Sequence, residues 1–181
     1  MTASKVPGAD AAAAAVKEIA VKFSHEMSYD ASPEEVAAML ADRDFREQVC
    51  KAMDSTRHDV SVEGAGTGME VVVDQTQPAR GIPSFAKKFV GDSIQIVQRE
   101  SWGSETAATL LLEIPGKPGQ LDGDIRLAVD GDGTVETVAG DLKVKVPVVG
   151  GKLEGLVADL LKSALRTEQK VGRAWLAARK S

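Results

Sequence analysis

Two histidines, one cysteine and one acid set beside an apolar helical stripe are the side chains of this 181-residue chain whose chemistry could exceed a structural role. His25 and His58 each stand in the apolar phase of an alternating segment. A metal site needs a third ligand at a suitable spacing, and Cys50 does not supply it. A general base needs an orienting carboxylate, and the spacing offers none. Both histidines therefore read as structural, buried or at a rim. His25 carries a further expectation, because Phe23 and Met27 flank it in phase. It should point to the interior, where a ring nitrogen can hydrogen-bond the polar end of a ligand. Glu168 lies about 60° from the centre of the apolar stripe of the last helix. It either bends out to solvent or serves as a polar contact or proton-transfer group with a raised pKa.

Two motif-like segments dissolve on inspection. Gly150-Gly151-Lys152 has the end of a phosphate loop, but Val146 stands where the first glycine belongs and Leu153 replaces the Ser or Thr. A hinge between strand and helix remains. Asp130-x-Asp132-x-Thr134 opens like a calcium loop, but Val135 fills the glycine position and Asp141 the final Glu position. A hairpin turn remains. No catalytic residue, metal or cofactor is expected.

Composition narrows the class. Net charge is −5, from 22 basic and 27 acidic residues, which argues against a non-specific nucleic-acid binder. With 43% apolar and 27% charged residues the chain matches ordinary soluble domains. One cysteine excludes an intrachain disulfide. No apolar run approaches the roughly 20 residues that span a bilayer, and Met1 to Pro7 lack a signal-peptide pattern. The expectation is a cytoplasmic protein without a transmembrane segment. Residues 1–17, with five alanines after Asp10, read as a disordered arm. Residues 18–181 read as a single domain.

The elements that position these side chains follow from periodicity. Ile19 to Tyr29 alternate strictly, giving a long half-buried strand. Ser32-Pro33-Glu34-Glu35 is a helix start with the spacing of a capping box, and a second short helix after Asp42 carries Phe45, Val49 and Met53. About six alternating segments follow, joined by short turns, which predicts an antiparallel meander. In the last two hairpin segments Leu121, Ile125, Leu127, Leu142 and Val144 should face inward, and Asp122, Asp124, Lys143 and Lys145 outward. After Pro147 one long helix runs from Leu153 to Ala178, with Leu153, Leu156, Val157, Leu160, Ala164, Val171, Trp175 and Ala178 in one stripe. Residues 80–92 break the strand rhythm. They are either a short helix plugging one end of the barrel or a lid in which Phe85 and Phe89 touch ligand. Lys87 and Lys88 would then meet anionic headgroups in transient membrane contact.

Phe23-Ser24-His25, Ser32 to Val36, Ile82-Pro83-Ser84-Phe85, Glu100-Ser101-Trp102 and, most specifically, Val146 to Glu154 carry a resemblance to a known superfamily. The chain resembles an uncharacterised bacterial branch of the START and birch-pollen-allergen-like (SRPBCC) superfamily over about residues 19–178. The resemblance implies an α+β helix-grip fold: a curved antiparallel sheet of about seven strands around a long C-terminal helix, with two short helices after the first strand. It also implies a ligand class, because the superfamily includes lipid carriers, hormone receptors, ring cyclases and chaperone co-factors. A hydrophobic small molecule, such as a lipid, isoprenoid or polyketide-like compound, is the expected partner. His25, Phe85, Phe89, Trp102, Val157, Leu160, Ala164 and Glu168 are the expected ligand-binding residues. Two alternatives stay open: a cyclase or dehydratase using His25 or Glu168, and a solid-core module acting through its surface.

Overall fold

Period-two alternation over Val16–Tyr29 forms β1, a long edge strand whose apolar side turns Phe23, Met27 and Tyr29 inward. A computed structural model describes residues 16–117, 119–147 and 152–180 of the chain. The arm expected over residues 1–17 lies outside the described residues except for Val16 and Lys17, which begin β1. The glycine hinge at residues 150–151 also lies outside them.

The chain leaves β1 through a cap that the sequence announces. Ser32 Oγ accepts from the Glu35 amide at 3.3 Å, and Glu35 Oε2 accepts from the Ser32 amide at 2.8 Å. Helix α1 (Pro33–Leu40) starts there, and α2 (Arg43–Ala52) starts at Asp42, whose Oδ1 accepts from the Asp44 amide at 2.8 Å. Val36, Met39, Leu40, Phe45 and Val49 bury one side of this helical pair.

Six strands then run as a meander: β2 (Arg57–Glu63), β3 (Glu70–Pro78), β4 (Ser93–Ser104), β5 (Ala107–Glu113), β6 (Gly119–Asp130) and β7 (Gly133–Pro147). From β3 on, each pairs antiparallel with its predecessor, and β7 also takes β1, giving the order β1-β7-β6-β5-β4-β3-β2. The Asp130–Gly133 segment is the hairpin turn between β6 and β7. The expected register holds. Leu121, Ile125, Leu127, Leu142 and Val144 are buried, while Asp122, Asp124 and Lys145 are exposed and Lys143 reaches Asp122 at the surface. Gly123 and Gly140 pair directly across β6 and β7, and a side chain on either would run into the neighbouring backbone. Between β3 and β4, the short α3 (Ser84–Val90) buries Ala86 in the core, with Ile82 buried just before it.

The long α4 (Lys152–Arg179) closes the concave side, packing on β1, α1 and α2. The architecture is the α+β helix-grip arrangement the sequence implies. The covered face of α4 is rotated from the expected stripe, however. Leu153, Leu165, Glu168, Gly172, Trp175 and Leu176 are buried, whereas Leu160 is 38% exposed and Ala178 is exposed. The helix is covered from one side by β1 and the two short helices, so its buried line turns toward them. Gly172 marks the tightest contact: a Cβ there would stand 2.8 Å from Tyr29 Cε1 and 3.2 Å from Met39. Trp175 meets Phe45 edge to face, centroids 5.6 Å apart. No described helix is long and apolar enough to cross a membrane.

Candidate functional site

The interior between sheet and α4 has two ends of different chemistry. At the end held by the C-terminal half of α4, five polar side chains from five elements converge below the surface: Tyr29 (β1), Arg46 (α2), Glu100 (β4), Glu136 (β7) and Glu168 (α4). Inward strand phase places Glu100 beside Trp102, and Glu136 opposite Met27 and Leu127. Helical spacing places Arg46 next to Phe45, and Glu168 one turn before Gly172.

Arg46 and Glu100 form a bidentate pair, with Nη1 donating to Oε1 at 2.9 Å and Nη2 to Oε2 at 2.8 Å. Arg46 Nε donates to the Leu40 carbonyl at 2.8 Å. Glu100 accepts further from Gln98 Nε2 at 2.6 Å and from Trp102 Nε1 at 2.9 Å. The pair is therefore saturated, as a buried ion pair must be to persist. Burial works against the Arg46 charge, and Glu100 with Glu168 and Glu136 outweighs it, so the guanidinium remains a cation.

Glu136 and Glu168 are different. Glu136 is 1% exposed and Glu168 8%, yet among the described residues the guanidinium facing them, that of Arg46, is committed to Glu100. Glu136 Oε2 is buried without any hydrogen-bond partner. Burial, and then the neighbouring Glu168, raises the Glu136 carboxyl well above the usual carboxylate range. Burial likewise raises Glu168, with Arg46 opposing and Glu100 reinforcing the shift. The Tyr29 hydroxyl lies against Glu136, and burial next to that acid holds it protonated. Cys50, nearby on α2, has its thiol pushed up to about 11 by burial, so it is no nucleophile at neutral pH.

At the other end the lining is apolar and incompletely covered. Phe89 and Val90 from α3, Ile94 from β4, Leu112 from β5, and Leu156, Val157 and Leu161 from the N-terminal half of α4 pack on the core while staying half-buried. Among the described residues no group of His, Cys, Asp and Glu side chains is placed to hold a metal ion. Two surface hollows lie elsewhere. One, of about 440 Å³, is a groove on the convex face lined by Ser101, Ala107, Thr109, Asp124 and Arg126. The other, of about 350 Å³, is at the sheet end by Ser28, Asp30, Asp132 and Lys180.

The residues singled out from sequence fall into three groups. Glu168 and Trp102 enter the buried polar cluster, Trp102 as a donor to Glu100. Phe89 and Val157 join the apolar end, with Ala164 half-buried farther along α4 and Leu160 turned toward solvent. Phe85 is 42% exposed, pointing away from the Ala86 contact, with Lys87 and Lys88 exposed beside it. His25 stands apart, half-buried between β1 and α4. Its Nε2 is buried and unpartnered, and burial together with Arg166 and Lys162 depresses its pKa. Sequence reading missed Arg46, Glu100, Glu136 and Tyr29 as a unit. The available signal was an acid in the inward phase of a strand, twice: Glu100 with Trp102 and Glu136 with Val138.

The fold is shared widely. It is similar to that of TTHA0849 from Thermus thermophilus, with a TM-score of 0.64 and 17% identity over 89% of this chain and 100% of that one. It is similar to that of Ara h 8.0201, with a TM-score of 0.58 and 12% identity over 88% of this chain and 99% of that one. The Zhui aromatase/cyclase from Streptomyces sp. R1128 also shares it, with a TM-score of 0.54 and 15% identity over 90% and 97%. At such identities the likeness shows the shared fold alone. No curated protein matches the chain by sequence. One family model does, over residues 24–176, and the chain therefore belongs to the family described as protein of unknown function, DUF2505.

Proposed function

We propose that this protein binds and carries a hydrophobic small molecule between the sheet and the N-terminal half of α4. One observation carries the reading: seven apolar side chains from four elements converge on the core at this end, yet none is fully covered. A finished core covers such groups, whereas a ligand-binding interior leaves them for the ligand. Inside this reading Phe89 and Val157 contact the ligand directly, and α3 is the element that yields to admit it. The exposed Lys87, Lys88 and Phe85 suit a brief docking of α3 on a membrane that supplies the cargo. A cytoplasmic setting belongs to the same reading. An aromatase/cyclase among the structural neighbours supports a small organic molecule as the class of cargo.

The rival is a solid-core module that acts through its surface. Native mass spectrometry of the purified protein, followed by titration with the neutral dye N-phenyl-1-naphthylamine, separates them. A retained apolar mass, or saturable dye fluorescence at one site, is the expected result. A folded protein with neither would overturn the carrier reading.

A further inference from the structure

We propose that Glu136 and Glu168 form the polar floor of this binding site and hold the carbonyl oxygen of an otherwise apolar ligand. The inference rests on the carrier reading and adds the ligand's functional group to it.

The geometry supports a donor rather than an anion at this point. The charged and titratable groups facing the pair are Tyr29 from β1, Arg46 and Cys50 from α2, and Glu100 from β4. His25 lies on the same strand as Tyr29 but faces Lys162 and Arg166 instead. Arg46 is consumed by Glu100 and by the Leu40 carbonyl. Two ionised carboxylates would then share a buried space with no free cation among the described residues, an arrangement that low polarity forbids. At least one acid keeps its proton. The Tyr29 hydroxyl, beside Glu136, donates to Met27 Sδ at 3.9 Å, and Glu136 Oε2 is buried without a partner. A protonated oxygen there is an unused O–H donor in the interior, and a buried donor left unpaired carries its full desolvation penalty. A carbonyl oxygen satisfies it without bringing in charge.

The reach is suitable. Leu161 at the apolar end and Glu168 are seven residues apart on α4, about 10 Å along the axis, and Val157 is about 16 Å away. An alkyl chain of about ten carbons bearing a terminal carbonyl function spans that gap, with its tail among Leu112, Val157 and Leu161 and its oxygen at Glu136.

Competition for bound N-phenyl-1-naphthylamine by 2-undecanone, 1-undecene and undecylamine tests this, together with the infrared carbonyl band of 2-undecanone labelled with carbon-13 at the carbonyl. The ketone should bind about tenfold tighter than the alkene, the value of one well-made hydrogen bond, with its carbonyl band moved to lower wavenumber. Glu136→Leu should erase the preference and the band shift while dye affinity stays. Glu136→Gln, which keeps an N–H donor, should retain much of both. Melting curves establish that the variants fold, and the wild-type band alone decides if Glu136→Leu does not. Equal affinity for ketone and alkene, or an unshifted band, overturns the carbonyl assignment while leaving the carrier reading intact. Tighter binding of the amine also overturns it, because the pair would then be ionised and awaiting a cation. Failure of every compound and of the dye overturns the carrier reading and this inference with it.

Discussion

The two halves of α4 solve opposite problems with one helix. The C-terminal half is locked: Gly172 leaves no room for a Cβ against Tyr29 and Met39, Trp175 meets Phe45, and the Arg46–Glu100 pair is saturated alongside. The N-terminal half is only partly seated, its Leu156, Val157 and Leu161 half-covered where they pack on the core. A protein that must hold its fold while admitting a guest needs both conditions. Local opening is expected in the part with few buried contacts.

The sharpest way to break this contrast is at Arg46. Arg46→Leu strands Glu100 in the interior beside two further acids and should cost about 3–5 kcal/mol, read from chemical denaturation. Arg46→Leu with Glu100→Leu should recover much of that loss, since the two groups are coupled. Leu161→Ala, at the loosely seated end, should cost under about 2 kcal/mol, below the usual range for a fully buried leucine. Equal costs at the two sites would show that the halves do not differ.

The pH dependence of stability sharpens the contrast next. Glu136 and Glu168 are raised in the folded state above their ordinary value of 4.5, chiefly by burial. Below that value both states hold the protons and nothing is lost. As pH rises, the unfolded chain releases protons that the folded chain keeps, so the unfolded state gains and stability falls until the folded acids titrate. Unfolding free energy should therefore decline from pH 4.5 upward by this contribution. Glu168→Gln should flatten the decline and raise stability at alkaline pH. A variant that tracks the wild type at every pH would remove the acid pair from the energetics.

The smallest effect belongs to α3. Phe85 is 42% exposed and Phe89 half-buried, so Phe85→Ala with Phe89→Ala should lower stability by only about 1–2 kcal/mol, less than the roughly 3–5 of one fully buried Phe. Release of N-phenyl-1-naphthylamine in stopped flow should become faster. A collapsed melting temperature with unchanged release would make α3 a structural plug.

The fold was legible because its signals are local and repeated: strict alternation in β1, β6 and β7, a capping box at Ser32, and a 28-residue amphipathic helix. The orientation of α4 was not, because a helical stripe gives a face but not which neighbours cover it. Packing from the side of β1 and α2 draws Leu165 and Glu168 inward and leaves Leu160 out. The polar cluster was legible only in fragments. Glu168 could be suspected from its place near the stripe, but Arg46 and Glu100 lie 54 positions apart and nothing in either segment names the other. Glu136 sat in an inward strand phase whose meaning depends on whether a counter-charge waits inside.

The carrier account is tested most directly by the position of a bound guest. Intermolecular nuclear Overhauser contacts between N-phenyl-1-naphthylamine and the labelled methyl groups of the full chain report it. The account predicts contacts to Ile94, Leu112, Val157 and Leu161, at the end where these side chains are half-covered. Contacts instead to Ala107 and Thr109, which line the convex groove, would contradict it.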